Sequence, residues 1–312
     1  MNKKIIAVAG PTASGKTALS VKIALEFGGE VVSCDSMQIY KGMNIGTAKP
    51  DENEKMGVAH HMMDFLNPTE NYNVVDYKKD AEECVDDILK RGRLPILAGG
   101  TGLYMDSVLN NTAFSEKSGD EKVRAKLETD LNEKGIDFLY NRLKKVDPEA
   151  AEKIHPNNQR RVLRALEIFD STGKTMTQAN FESKRPEKYE SLVIGLMWDR
   201  EVLYKRINER VDHMMNAGLL EEVKALKNAG LCENCTAAQA IGYKELFEYL
   251  RGEISYGDAV EKIKQESRHY AKRQMTWFKR NKKINWLILQ EDYNLNKIYE
   301  QAFTLIKKFV IM

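Results

Sequence analysis

The eight residues Gly10-Pro11-Thr12-Ala13-Ser14-Gly15-Lys16-Thr17 fit the pattern Gly-x-x-x-x-Gly-Lys-Thr, and no other feature of the chain narrows its fold as much. The pattern works only where a strand enters it and a helix leaves it. Residues 5–9 are a short apolar run that stops at Gly10, and helical periodicity follows from 17 to about 27. In that setting the glycines let backbone N–H groups turn inward around phosphate oxygens at a helix N-terminus. Lys16 adds a point charge, and Thr17 supplies a hydroxyl for Mg²⁺. All eight residues are therefore candidates for holding a diphosphate or triphosphate, with Thr17 as the metal ligand. The motif does not identify the compound, because kinases, NTPases and some transferases share it.

The rest of the chain repeats the alternation of strand and helix. Residues 30–35 form a second β-branched run ending in polar residues, and 94–98 form a third that stops at Gly99-Gly100-Thr101-Gly102. Between them, helical spacing over 75–89 puts Tyr77, Ala81, Val85 and Ile88 on one face. Continuous apolar strands alternating with helices predict a parallel sheet. Residues 113–190 break the pattern with charged, helix-like stretches at 120–134, 136–145 and 157–170. A return to the sheet at 192–198, helices at 201–216, 218–229 and 257–280, and a last strand at 284–289 complete the reading. The expected fold is α/β: a P-loop NTPase-like parallel sheet flanked by helices, with a mostly helical insertion. Its core takes residues 1–112 and 191–312, and its insertion takes 113–190.

Charge and cysteines narrow the setting. The formal net charge is only +2, but residues 267–290 contain no Asp or Glu. That segment carries Arg268, Lys272, Arg273, Lys279, Arg280, Lys282 and Lys283, a basic stripe suited to a polyanion or to a solvated helix face. The opening apolar stretch is too short for a secretory leader, and no stretch approaches the roughly 20 apolar residues of a membrane span. A cytoplasmic monomer with no membrane association is expected. Of four cysteines, Cys232 and Cys235 form a single C-x-x-C with no further zinc ligands nearby, so neither a metal nor a redox role is assigned. His60-His61 lacks partners in the same way.

Ligands of parallel sheets sit at the carboxyl edge of the strands. Asp35, directly after the second run, is therefore placed to face Lys16 and to act as a general base. Thr101, after the third run, is placed to bring a hydroxyl against a leaving diphosphate. No Asp at that strand end would hold Mg²⁺ as in a hydrolysing NTPase. Beside Gln159, Arg160, Arg161 and Arg164 put phosphate-matching guanidinium groups on the insertion, where a salt-bridged surface is the competing reading.

The blocks at 10–17, 35–50 and 94–104 resemble the tRNA dimethylallyltransferases (tRNA isopentenyltransferases). So do His155-Pro156-Asn157, residues 160–167, 240–245 and 268–274, and Thr276-Trp277-Phe278. The resemblance runs in order over roughly residues 5–290, and Asp35-Ser36-Met37-Gln38 and residues 99–104 are particular to that family. One departure is Ala59, where the family usually has proline before the two histidines. The resemblance implies transfer of the five-carbon group of dimethylallyl diphosphate to N6 of the adenosine at position 37 of tRNA, beside the anticodon. It implies that the P-loop holds the donor diphosphate with Mg²⁺, and that Asp35 and Thr101 are catalytic. It further implies that Asp35, Ser36, Met37, Gln38, Thr101, Arg124, Gln159, Arg160, Arg161, Val162, Leu163, Lys244, Arg268, Lys272 and Arg273 meet the tRNA anticodon stem-loop. A stacked adenine hides its N6, so the base is expected to be flipped into the pocket.

Three alternatives explain part of the sequence. A small-molecule kinase uses the P-loop and Asp35 but leaves the insertion and the basic stripe idle. A prenyltransferase acting on free adenine nucleotide has the same difficulty. A nucleotide-dependent RNA-binding module leaves Asp35 without a task.

Overall fold

The computed structural model describes residues 3–113, 120–183, 185–290 and 294–311. Residues 114–119 of the expected insertion lie outside them. The chain divides into two compact units, Met1–Leu109 with Lys188–Met312, and Asn110–Glu187.

In chain order the first unit opens with β1 (Lys4–Ala9), α1 (Lys16–Phe27), β2 (Gly29–Ser33), α2 (Glu52–Lys55), β3 (His60–His61), α3 (Val74–Lys90), β4 (Leu94–Gly99) and α4 (Gly102–Leu109). The second unit contributes α5 (Glu121–Val146), α6 (Pro148–Lys153), α7 (Gln159–Thr172) and α8 (Met176–Glu182). The first unit resumes with β5 (Glu190–Trp198), α9 (Arg200–Asn216), α10 (Leu219–Asn228), α11 (Tyr243–Leu250), α12 (Tyr256–Phe278), β6 (Asn285–Leu289) and α13 (Leu295–Ile311).

The six strands form one sheet in the order β3-β2-β4-β1-β5-β6, and every pairing is parallel. β1 lies centrally, with Ile6 opposite Ile96 on one side and Leu192 on the other. Strand alternation explains how both faces are covered. Ile6 and Val8 join a cluster with Leu19 and Ile23 of α1, Ile207 of α9 and Ile306 of α13. Ile5, Ala7 and Ala9 join Tyr77, Ala81, Val85 and Ile88 of α3 and Met105 and Val108 of α4 on the opposite face. A third cluster gathers Ile39, Tyr40 and Met43 with the helices α10 and α11.

The sequence-predicted strands and long helices all form, with ends shifted by at most two residues. Several elements had not been read from the sequence. β3 has only two residues and exists because Val31 and Val32 pair with His60 and His61. α2, α4, α6, α8, α11 and α13 are additional. The stretches 120–134 and 136–145 are joined in α5, with a break at Gly135, whose φ of 78° is left-handed. Cys232 and Cys235, read as idle, are joined by a disulfide. A turn in which Cys235 N donates to Cys232 O brings their Cα atoms to 5.5 Å.

The two histidines point to different places. Nε2 of His61 lies 2.7 Å from Oε2 of buried Glu30, which also receives Arg91 through both oxygens. The Arg91 hydrogen bonds, helped by His61, hold the Glu30 carboxyl down at about 2 although burial pushes the other way. That value is depressed relative to an unfolded carboxyl. The pair's contribution is therefore fully present above about pH 4.5 and is lost as the pH falls through about 2. Glu30→Gln is expected to lower Tm at pH 7, with the gap to wild type closing as the pH approaches 2. Thermal unfolding across that range measures it.

Candidate active site

The carboxyl ends of β1, β2 and β4 converge on one cleft of about 940 Å³. Its floor is the phosphate loop. Gly15 takes φ 95° at the N-cap of α1, a left-handed conformation that turns the loop's N–H groups inward. Ala13 also stands in the left-handed region, at φ 60°, where a residue with a Cβ is strained.

Several side chains brace the loop from outside. Arg206 Nε donates to Ala13 O at 3.0 Å while its guanidinium lies 4.4 Å from the Trp198 ring. Trp198 Nε1 donates to Ser14 O at 3.0 Å, and Arg210 donates to Thr12 Oγ1 at 3.3 Å. Thr12 N donates to Gln274 Oε1 at 2.8 Å. Arg206 and Arg210 stand four apart on α9, which follows β5 directly. That spacing was the available sequence signal for them.

The loop's electrostatics call for an anion. Lys16 Nζ donates to Pro11 O at 2.7 Å. Burial and the neighbouring Arg210 push its ammonium down to about 7, against the pull of Asp35. Burial likewise lowers Arg210. Ser14 is buried, and its hydroxyl has no hydrogen-bond partner among the described residues. Two desolvated cations and an orphaned hydroxyl are what a diphosphate would satisfy.

Asp35 faces this floor. Its Oδ1 accepts Met37 N at 2.9 Å and Gln38 N at 3.4 Å, a turn that fixes the carboxylate. Thr101 is laced to the same loop. Its N donates to Cys34 O at 3.0 Å, and its hydroxyl accepts Ser36 N at 3.1 Å. On α12, burial first, and then Asp35, push the Tyr270 phenol up to about 12, against the pull of neighbouring Thr101 and Gln274. A second cavity of about 280 Å³ continues from Asp35 and Tyr270 between apolar walls that include Ile207, Met214, Leu219 and Ile263.

Other sequence-predicted residues fall differently. Gln38 spends its carboxamide internally: it accepts Ser33 Oγ at 3.0 Å and donates to Thr47 O and Ala48 O at 3.2 and 3.3 Å. It braces the loop. Arg268 donates to Asn208 at 2.6 Å, and Lys244 lies 3.5 Å from buried Glu245. Lys272 and Arg273 are exposed, with the Arg273 guanidinium 5.7 Å from the Tyr270 ring. Ser36 and Met37 line the smaller cavity.

Within the second unit, Gln159, Arg160 and Arg161 are exposed at the start of α7. Val162 and Leu163 turn their side chains elsewhere than the surface expected of them: at 0% and 3% exposure these belong to that unit's core, where they pack α7 with Leu127 and Leu139 of α5. Arg124 pairs with Glu128 at 2.7 Å and approaches Glu167 of α7 to 3.7 Å, so its charge ties two helices together. Among the described residues no group of three or more His, Cys, Asp or Glu side chains is placed to hold a metal ion, His60-His61 included.

The sheet, its strand order and the loop at the end of β1 define a P-loop NTPase-like protein with a mostly helical insertion. The family model for IPP transferases matches residues 38–281. The chain is 49% identical over 286 residues to the tRNA dimethylallyltransferase of Oceanobacillus iheyensis, covering 92% of this chain and 91% of that one. It is 46% identical over 300 residues to the tRNA dimethylallyltransferase of Bacillus subtilis, covering 96% and 95%. Among solved structures, the full-length tRNA isopentenylpyrophosphate transferase of Bacillus halodurans superposes with a TM-score of 0.75 at 42% identity, covering 98% and 96%. A eukaryotic dimethylallyltransferase caught acting on tRNA superposes with a TM-score of 0.83 at 32% identity, covering 98% and 79%. The chain belongs to the IPP transferase family.

Proposed function

We infer that the chain is a tRNA dimethylallyltransferase, moving a five-carbon allyl group from dimethylallyl diphosphate to N6 of adenosine 37 in tRNA. One observation carries the reading at the level of chemistry: Asp35 lines both cavities, the cationic one over the phosphate loop and the apolar one beside it. A base at that junction can take a proton from a nitrogen attacking a carbon whose leaving group sits on Lys16. As N6 bonds to the allylic carbon, the carbon–oxygen bond breaks and diphosphate departs. The N6 proton passes to Asp35, and the charge on diphosphate is held by Lys16, Arg210 and the loop N–H groups.

The loop's donors fit a magnesium ion. Thr17 lines the cleft and the Ser14 hydroxyl is unpartnered, while no cluster of three or more His, Cys, Asp or Glu side chains able to hold a metal is found among the described residues. An ion held by Thr17, water and donor oxygens suits Mg²⁺ and would neutralise charge on the departing diphosphate. The RNA is met by exposed Lys272 and Arg273, and by Gln159, Arg160 and Arg161 of the insertion. No helix among the described residues is long and apolar enough to cross a membrane. The reading has the enzyme work in the cytoplasm as a monomer.

The test is incubation with unmodified tRNA, labelled dimethylallyl diphosphate and Mg²⁺. Label in RNA is expected; label in AMP, or ATP turnover without RNA labelling, would sink the reading. Arg273→Ala is expected to weaken tRNA binding and reduce the slope of log K against log salt by about 0.7–0.9, the loss of one phosphate contact. Donor binding should stay normal. An unchanged salt slope would place Arg273 away from the RNA.

A further inference from the structure

We propose that Gln274 is a positioning residue that sets the separation of the phosphate loop and the Gly99-Gly100-Thr101 loop. Its carboxamide is the strut between them. Oε1 accepts Thr12 N at 2.8 Å, and Nε2 donates to Gly100 O at 3.0 Å. The side chain is only 5% exposed, so neither bond is exchanged readily for water. Gly100 is shaped for it: a Cβ there would stand 2.1 Å from Gln274 Nε2.

The strut belongs to one face of α12. Tyr270 lines the cleft one turn earlier, and Trp277 Nε1 donates to Asp106 of α4 at 2.7 Å one turn later. Positions 270, 274 and 277 are neighbours on a helix surface. One loop carries the diphosphate cradle, and the other carries Thr101, bonded to the Asp35-Ser36 turn. Gln274 thereby fixes the distance from leaving group to base. This role rests on the prenyl-transfer reading for its effect on turnover, but its effect on diphosphate binding does not depend on tRNA.

Two variants test it. Gln274→Met removes both hydrogen bonds at similar size. Gln274→Glu, when protonated, accepts from Thr12 and donates to Gly100 as the amide does; once ionised it can only accept. Kinetics are measured against wild type across pH, with tRNA and inorganic pyrophosphate affinities and Tm measured alongside. The other titratable or charged groups in the cleft, Tyr270, Asp35, Lys16, Lys49, Asp51, Glu54, His60, Arg206, Glu209, Arg210 and His213, are present in wild type too. The variant-to-wild-type ratio therefore isolates the new carboxyl.

The expected result for Gln274→Met is a fall in kcat of about 10²-fold at every pH, of the order a misplacement near 1 Å produces. Its pyrophosphate affinity falls as well, and its tRNA affinity is unchanged. The Gln274→Glu ratio is expected near wild type at the acid end and to fall as the pH rises. Three results would overturn the proposal: wild-type kcat and pyrophosphate affinity in Gln274→Met, a Gln274→Glu ratio flat in pH, or tRNA affinity lost in step with kcat and Tm. If wild type itself labels no RNA, the function reading fails, and the pyrophosphate arm still decides the strut.

Discussion

Asp35→Asn is expected to lower kcat by about 10²–10⁴-fold, the usual cost of losing a general base, while tRNA affinity stays within about twofold of wild type. The asparagine carbonyl can still accept Met37 N and Gln38 N, the two bonds that Oδ1 accepts now. The turn and its contacts with Thr101 therefore survive, and only the capacity to take a proton is lost. Asp35→Ala would remove the turn as well and mix the two effects. Single-turnover transfer of the labelled allyl group isolates the chemical step, and filter binding reports tRNA affinity. Turnover close to wild type would remove Asp35 from the mechanism.

Lys16→Met is expected to cost about 10²–10³-fold in kcat/KM for the donor, the scale seen when a fixed donor to a developing oxyanion is removed. It should leave tRNA affinity unchanged. The buried ammonium also predicts a pH dependence. Because Lys16 is pushed down to about 7 by burial and Arg210, it holds an anionic diphosphate as a cation below that pH and loses its proton above it. Wild-type pyrophosphate affinity should weaken as the pH rises through about 7, and this part of the slope should vanish in Lys16→Met. A wild-type profile flat between pH 6 and about 9 would mean that the lysine keeps its charge in the site.

The core strands were legible because buried parallel strands are continuous apolar runs, and β1, β4 and β5 have that form. Other elements were harder for identifiable reasons. α4 is buried along most of its length, so Gly102–Leu109 shows no amphipathic period. β3 is two histidines whose strand character comes from their neighbours Val31 and Val32. α13 did carry a signal, since Ile298, Ala302, Ile306 and Phe309 recur on one helical face and are buried.

The site divides in the same way. The phosphate loop, Asp35 and Thr101 follow three strands directly, and strand order brings their ends together. Gln274, Arg206 and Arg210 reach the loop from helices distant in sequence, so their partners depend on packing that no local pattern states. Val162 and Leu163 teach the reverse lesson. Their spacing with Leu166 marks a core stripe, and all three are buried. Family resemblance had placed the first two at the RNA surface.

The inward spacing of Tyr270, Gln274 and Trp277 on α12 bears on how this chain can diverge. Adding or deleting one residue between them would rotate everything downstream by about 100° around the helix axis. Trp277 would leave Asp106, and Lys272 and Arg273 would change faces relative to the strut. A change of length is closed to this segment. After Phe278 the helix ends, and the turn through Lys279 to Lys283 is exposed at most of its positions. Relatives should therefore keep the count from 270 to 277 while varying in length beyond it.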